Sequence, residues 1–131
     1  MLAKRRVYAT IPATDIKRAK RWYEEKLGLK PSSESDMGAQ YVLGNGTGFL
    51  LYPTQFAGKA PNTLLGFEST DVETDVAALK KKGVKFEEYD MPGLKTVNSI
   101  ATMGGGKGAW FKDSEGNILS ISELPPGMQM P

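Results

Sequence analysis

Asp15-Ile16-Lys17-Arg18-Ala19-Lys20-Arg21-Trp22-Tyr23-Glu24-Glu25-Lys26-Leu27-Gly28 is the stretch on which the fold turns. Ile16, Ala19, Tyr23 and Leu27 fall at helical spacing, with Asp15 or Thr14 placed to cap the start and Gly28 to end the helix. The other side carries Lys17, Arg18, Lys20, Arg21, Glu24 and Glu25, with Lys20–Glu24 and Arg21–Glu25 four apart. Asp71 stands 56 positions after Asp15, and the pattern returns there. Val72, Val76 and Leu79 repeat the helical spacing, Thr70 and Glu73 have capping-box spacing, and Gly83 closes the helix. Leu27-Gly28-Leu29-Lys30 is echoed by Lys82-Gly83-Val84-Lys85. Tyr8 and Leu64 hold matching places ahead of the two helices.

Around these helices the chain reads as short strands. Val7 to Ile11 precedes the first helix, and Lys30–Ser33, Gln40–Leu43 and Gly48–Tyr52 follow it. Thr63 to Glu68 precedes the second helix, and Lys85–Tyr89, Lys107–Lys112 and Ile118–Glu123 follow. Gly44-Asn45-Gly46 is hairpin chemistry, and Asp113-Ser114-Glu115-Gly116-Asn117 is a second tight turn. Strand, helix and three strands are therefore stated twice, which predicts an α+β fold of two tandem βαβββ modules. The expected organisation is one domain over residues 1–124, with a first module at about 5–56, a linker at 57–62 and a second module at about 63–124. The proline-rich tail 125–131 cannot continue a strand and is expected on the surface.

Composition narrows the chemistry. The 131 residues are 40% apolar and 24% charged with a formal charge of +2, ordinary globular usage and too balanced to imply a polyanionic partner. The absence of cysteine excludes disulfides, thiolate metal sites and a cysteine nucleophile. The absence of histidine removes the commonest metal ligand and general base. No apolar stretch approaches the roughly 20 residues of a membrane-spanning helix. Lys4-Arg5-Arg6 ahead of an apolar run lacks a cleavage site, because Thr10 and Pro12 interrupt the run and Asp15-Ile16-Lys17-Arg18 follows. A cytoplasmic protein is expected, with neither membrane nor nucleic acid as partner. Lys17, Arg18, Lys20 and Arg21 read as a solvated helix face, since Glu24 and Glu25 interrupt them and no recognition motif accompanies them.

At this point the residues resemble the vicinal oxygen chelate superfamily, which includes glyoxalase I, the extradiol dioxygenases and the bleomycin-resistance proteins. The matching stretches are Asp15 to Gly28, then Gly66-Phe67-Glu68 with Asp71-Val72, and Trp110-Phe111-Lys112-Asp113-Ser114-Glu115-Gly116-Asn117-Ile118-Leu119. The resemblance implies that the two modules form a cupped sheet, which in the enzymes surrounds a divalent metal. It also implies a homodimer. Carried over by the local motifs, the metal-ligand places fall on Tyr8, Leu50, Leu64 and Ser120. Two leucines cannot coordinate, and a tyrosine with a serine is a poor donor set for a divalent ion. A cluster using Glu68 or Glu123 would require a strand shifted by one residue, which turns side chains to the other face. No metal or other cofactor is therefore expected.

With the ligands replaced, the cup would be a concave, mostly apolar cavity. Strand alternation from Tyr8 places Thr10, Leu50, Tyr52, Leu64, Gly66 and Ser120, with Ile118 and Ser122, on its inner face, and the resemblance adds Trp110. The ligand-pocket candidates are thus Tyr8, Thr10, Leu50, Tyr52, Leu64, Trp110 and Ser120, a set suited to a flat or aromatic ligand of modest polarity. Packing of the same residues into a core is the alternative. Met103-Gly104-Gly105-Gly106-Lys107-Gly108 is not a phosphate loop, because Ala101 holds the first glycine place and Gly108 follows the lysine. A mobile loop over the cavity mouth is expected there, with an ordinary strand connection as the alternative.

The expected function is metal-independent binding of a small organic molecule, in the manner of the bleomycin-resistance proteins, either sequestering or carrying it. Relatives that sequester cationic antibiotics are acidic, whereas this chain has an isoelectric point near 8.8, so a neutral or anionic ligand is expected. The alternative is an enzyme of the same superfamily, a lyase, isomerase or dioxygenase. A ligand-free structural dimer is a third reading.

Overall fold

In the computed structural model, which describes residues 1–128, the duplication expected from the sequence appears as two sheets. The first module runs β1 (Ala9–Ala13), α1 (Ile16–Leu27), β2 (Ser33–Ser35), β3 (Gly38–Val42) and β4 (Gly48–Pro53). The second runs β5 (Thr63–Glu68), α2 (Val72–Lys81), β6 (Asp90–Met91), β7 (Leu94–Val97), β8 (Ile100–Met103), β9 (Gly106–Lys112) and β10 (Ile118–Glu123). The strand orders are β1-β4-β3-β2 and β5-β10-β9-β8-β7-β6. Each opening strand pairs parallel with the closing strand of its own module, β1 with β4 and β5 with β10, while the other pairings are antiparallel. The two modules share this plan, with β5, β8, β9 and β10 standing for β1, β2, β3 and β4, and β1 lies against β5. Together they form the cupped α+β sheet of tandem modules.

The second module departs from the expected count. Residues 85–89 alternate like a strand, with Val84 and Phe86 buried, yet they make only one bridge, Phe86 to Phe111. The hairpin β7–β8 has taken the rest of that edge. It pairs Ala101 to Met103 with Gly106 to Gly108 and leaves only positions 110 and 111 of β9 for the 85–89 segment, whose Glu87 amide donates to the Trp110 carbonyl. In the first module, β2 begins three residues later than expected. Pro31 has no N–H to give to a ladder, and the pairing starts at Ser33.

Each helix end has a visible cause. Asp15 accepts the Arg18 amide at the start of α1, and Gly28 ends it in the left-handed conformation at φ 70°. Asp71 caps α2 by accepting from the Thr74 amide and hydroxyl, so the expected Thr70–Glu73 capping box does not form. Glu73 instead pairs with Lys107. Nor do the i,i+4 pairs on α1 form. Lys20 reaches Glu34 and Arg18 reaches Glu115, because β2 and the 113–117 turn put carboxylates beside the helix.

The core lies between the helices and the inner rows of both sheets. Ile11, Ala13, Tyr41, Phe49 and Leu51 come from the first sheet, Ala109, Phe111, Leu119 and Ile121 from the second, and Ala19, Tyr23, Val72 and Val76 from the helices. Tyr23 meets Tyr41 and Phe49, while its neighbour Trp22 stacks on Phe111, so α1 is glued to both modules. Each sheet is thereby covered on one side and left with a second, open face.

Candidate functional site

Alternation along the strands separates core residues from those on the open faces. In β1 and β4, Ile11, Phe49 and Leu51 are buried, so Thr10 and Leu50, which are register partners, look the other way. Leu50 is opposite Gln40, and Gln40 is opposite Ser33, which makes a row across the first sheet. Tyr52 continues that face two residues further along β4. Tyr8 lies just before β1 and is 58% exposed. A hollow of about 210 Å3 on this face is lined by Tyr8, Leu50 and Gln40, with Ser33, Met37 and Gly38 on its far side.

On the second sheet the matching row is Gly66, Ser120 and Trp110. Its register explains the small residues. A Cβ on Gly66 would stand 3.1 Å from the Ser120 hydroxyl, and one on Gly108 would stand 3.2 Å from the Trp110 ring. The indole therefore lies down over Gly108, with the Tyr89 ring edge-on at 5.6 Å. Leu64 precedes Gly66 by one alternation on the same strand and is half-buried. The candidate set thus divides between the sheets. Tyr8, Thr10, Leu50 and Tyr52 belong to the first, and Leu64, Trp110 and Ser120 to the second.

Sequence reasoning missed Gln40, Met37 and Tyr89. Gln40 could have been found as the one polar residue alternating between Ala39 and Tyr41; Tyr89 could not, because it reaches Trp110 from outside the regular strands. The glycine run 103–108 is corrected. Met103 and Gly106 pair across Gly104 and Gly105, whose φ values of 55° and 85° make a two-residue hairpin turn. Gly106 is packed under Glu123 and Pro125, so this stretch is a strand connection and not a lid over a mouth.

The donor chemistry at the positions that the resemblance assigns to metal ligands does not fit a divalent cation: Leu50 and Leu64 offer no lone pair, and Tyr8 and Ser120 offer only hydroxyls. A separate carboxylate group, Asp71, Glu73 and Glu123, gathers at the start of α2, but each member is already used. Asp71 caps the helix, Glu73 pairs with Lys107, and Glu123 accepts the Val72 amide.

The best-built polar cluster is the turn 113–117. One oxygen of Asp113 accepts the amides of Glu115 and Asn117, and the other accepts the Tyr23 hydroxyl at 2.7 Å and the Asn117 side-chain amide at 2.9 Å. Asn117 also donates to the Pro12 carbonyl and accepts from the Gly58 amide. Glu115 accepts the Asp15 amide, two nitrogens of Arg18 and the Ser114 hydroxyl. Burial holds the Asp113 carboxyl above its ordinary range despite its four donors. Burial also opposes the Glu115 charge, but Arg18, the Asp15 amide and Ser114 outweigh it and leave that carboxyl below its usual value. These groups are saturated by partners within the chain, so the turn is a structural knot joining α1, β1, the linker and the second sheet.

Solved structures share this architecture at low identity. UcmS2 is 20% identical with a TM-score of 0.70, over 90% of this chain and 96% of its own. A glyoxalase family protein from Enterococcus faecalis is 24% identical with a TM-score of 0.70, over 94% and 100%. The genomically encoded fosfomycin resistance protein FosX from Listeria monocytogenes is 11% identical with a TM-score of 0.66, over 94% and 95%. No curated protein matches the chain. The glyoxalase/bleomycin resistance protein/dioxygenase superfamily model matches residues 5–121, nearly the whole two-module fold and both sheets of the site, and the chain belongs to that superfamily.

Proposed function

We propose that the protein binds a small organic molecule on the open faces of its sheets without help from a divalent metal, sequestering or carrying it. The observation that carries this reading is the chemistry of the residues at the positions that the resemblance assigns to metal ligands. Leucines at 50 and 64 remove coordination, while the same faces keep groups suited to a flat, weakly polar guest. Trp110 offers an indole face backed by Gly108, and Thr10, Gln40 and Ser120 offer hydrogen bonds beside apolar Leu50 and Leu64. With no histidine in the chain, acid–base work near these faces would fall to tyrosines and carboxylates such as Glu34. The protein is further read as a cytoplasmic homodimer.

The test is a native mass spectrum of the protein as purified. A dimer carrying an added organic mass and no metal supports the reading and reports the ligand class. One metal per subunit overturns it and moves an enzyme of the superfamily to the front. Calorimetric titration of aromatic compounds checks the location, and Trp110→Ala should weaken their binding while the protein stays folded.

A further inference from the structure

The chain enters β1 before it pairs with β4. The parallel ladder begins at Ala9 with Phe49, and just ahead of it residues 6–8 and 47–49 line a hollow of about 210 Å3. Tyr8 and Gln40 line this hollow and also the one over Leu50, so the two adjoin along the first sheet. Val7, Tyr8 and Val42 give the new hollow exposed apolar walls. Exposed apolar side chains gathered around one hollow mark a place where something binds.

The polar groups here are donors that the fold leaves unspent. Arg6 is the charged residue of this lining, and its Nη2 donates to the Gly46 carbonyl. A Cβ on Gly46 would stand 3.6 Å from that nitrogen, so the guanidinium lies against the Gly44–Gly46 turn. Thr47 braces the turn by donating its hydroxyl to the Gly44 carbonyl at 2.8 Å. A guanidinium carries five N–H donors in a planar fork, and among the described residues Arg6 has no ion pair and no second acceptor. Gln40 accepts the Ser33 hydroxyl at Oε1, 3.1 Å away, while its Nε2 has no acceptor among the described residues. Glu34 lines the adjoining hollow, but it is opposite buried Ala39 in the ladder, and its carboxylate pairs with Lys20 of α1 on the helix side. The two hollows therefore hold one fixed cation that no carboxylate neutralises among the described residues.

We infer that the open-face ligand is an organic anion, a flat apolar body ending in a carboxylate that Arg6 holds. The guanidinium fork matches two carboxylate oxygens at once, and the Gln40 amide donates beside it. The apolar body lies against Tyr8 and Val42 and extends over Leu50. The inference rests on the open-face reading and names its ligand class.

The experiment is a titration of the full chain with 2-naphthoate, 2-naphthamide and 2-naphthylmethylammonium, followed by amide chemical shifts. Naphthoate is expected to bind at least about fivefold tighter than the amide, and the ammonium compound weakest, with the largest shifts at Tyr8, Gln40 and Thr47. Arg6→Gln is expected to remove the preference for the acid and leave naphthamide binding unchanged. Arg6→Lys, which keeps the charge and loses the fork, should retain only part of it. Arg5→Gln, removing a neighbouring charge outside the lining, should retain all of it. Added salt should weaken naphthoate and spare naphthamide. Equal binding of acid and amide with shifts still at Tyr8, Gln40 and Leu50 overturns the inference and leaves the open-face reading standing. Naphthoate shifts centred on Trp110 and Ser120, an equal loss in Arg5→Gln, or no saturable shift also overturns it. One metal per subunit in the native mass spectrum overturns the open-face reading independently.

Discussion

Two tyrosines share the core of the first module, and replacing each by phenylalanine should have opposite consequences. Tyr23 and Tyr41 are both buried, with ring centroids 5.9 Å apart. Tyr23 gives its hydroxyl to Asp113 at 2.7 Å, whereas the Tyr41 hydroxyl has no partner among the described residues. Tyr23→Phe keeps the ring contacts to Trp22 and Phe49 and deletes one hydrogen bond to a buried carboxylate. A hydrogen bond to a charged group contributes about 1.5–3 kcal/mol, which in a chain of this size corresponds to a melting temperature lower by roughly 5–10 °C. Tyr41→Phe keeps the stack on Phe49 at 4.6 Å and removes an unsatisfied hydroxyl, so stability should be unchanged or rise by up to about 1 kcal/mol.

The pH dependence sharpens the comparison. Burial raises the folded-state pKa of Asp113, so its contribution to stability is fully present below the unfolded carboxyl's value and is lost as pH rises through the folded value. The Tyr23 hydroxyl opposes that rise by favouring the ionised form. The cost of Tyr23→Phe should therefore be greatest at neutral pH and shrink as acid neutralises Asp113, while Tyr41→Phe should show no such trend. Urea unfolding of both variants from pH 7 down to pH 4 measures this. Equal effects from the two substitutions, or a Tyr23→Phe cost below about 0.5 kcal/mol at pH 7, would refute the assignment of Asp113 as the acceptor.

Three further outcomes are expected. Gly48→Ala should cost at least about 3 kcal/mol in urea unfolding, because its Cβ would stand 2.0 Å from the Tyr41 carbonyl oxygen and force β3 from β4. Glu88 accepts the Thr96 hydroxyl and the Ser99 amide and hydroxyl, bracing a turn in which Asn98 and Ser99 hold φ values of 51° and 75°. Thr96 first, then Ser99, lowers the Glu88 pKa, so this brace is present above the free carboxyl's value and lost as pH falls through the folded one; Glu88→Gln should speed hydrogen exchange of the Ser99 amide at neutral pH. Trp110→Ala should weaken the open-face ligand at least about tenfold by fluorescence-independent calorimetry while costing less than about 2 kcal/mol of stability, since its indole rests on exposed-face neighbours and not in the shared core.

Much of the fold was legible because it is carried by local chemistry. Asp15 and Gly28 bound a helix by rules that need no tertiary knowledge, and the repeat at Asp71 exposed the duplication. Strands were harder where partners compete. Val84 and Phe86 alternate correctly, yet the β7–β8 hairpin occupies most of the edge they would have joined, and that outcome depends on pairing far along the chain. The Thr70–Glu73 spacing failed for a related reason: Lys107, 34 residues away, draws Glu73 off. The open faces followed from alternation, since burial of Ile11, Phe49 and Leu51 fixes where Thr10 and Leu50 look. What alternation could not give was Tyr89, which meets Trp110 from an irregular segment.

The residues most recognisable in this sequence are the ones least able to report on its ligand. Asp113, Glu115 and Asn117 spend their acceptors on Tyr23, Arg18, Asp15 and Gly58, and the Asn117 side-chain amide donates to the Pro12 carbonyl. The helix starts are treated alike: the Asp15 amide is taken by Glu115 and the Val72 amide by Glu123, so the second module supplies both carboxylates that close the start of a helix. The turn therefore holds this fold together and is silent about activity. The informative positions are those that make no polar contact within the fold. Tyr8, Leu50, Leu64 and Ser120 have no side-chain hydrogen bond or ion pair among the described residues and lie where the superfamily's metal ligands are expected.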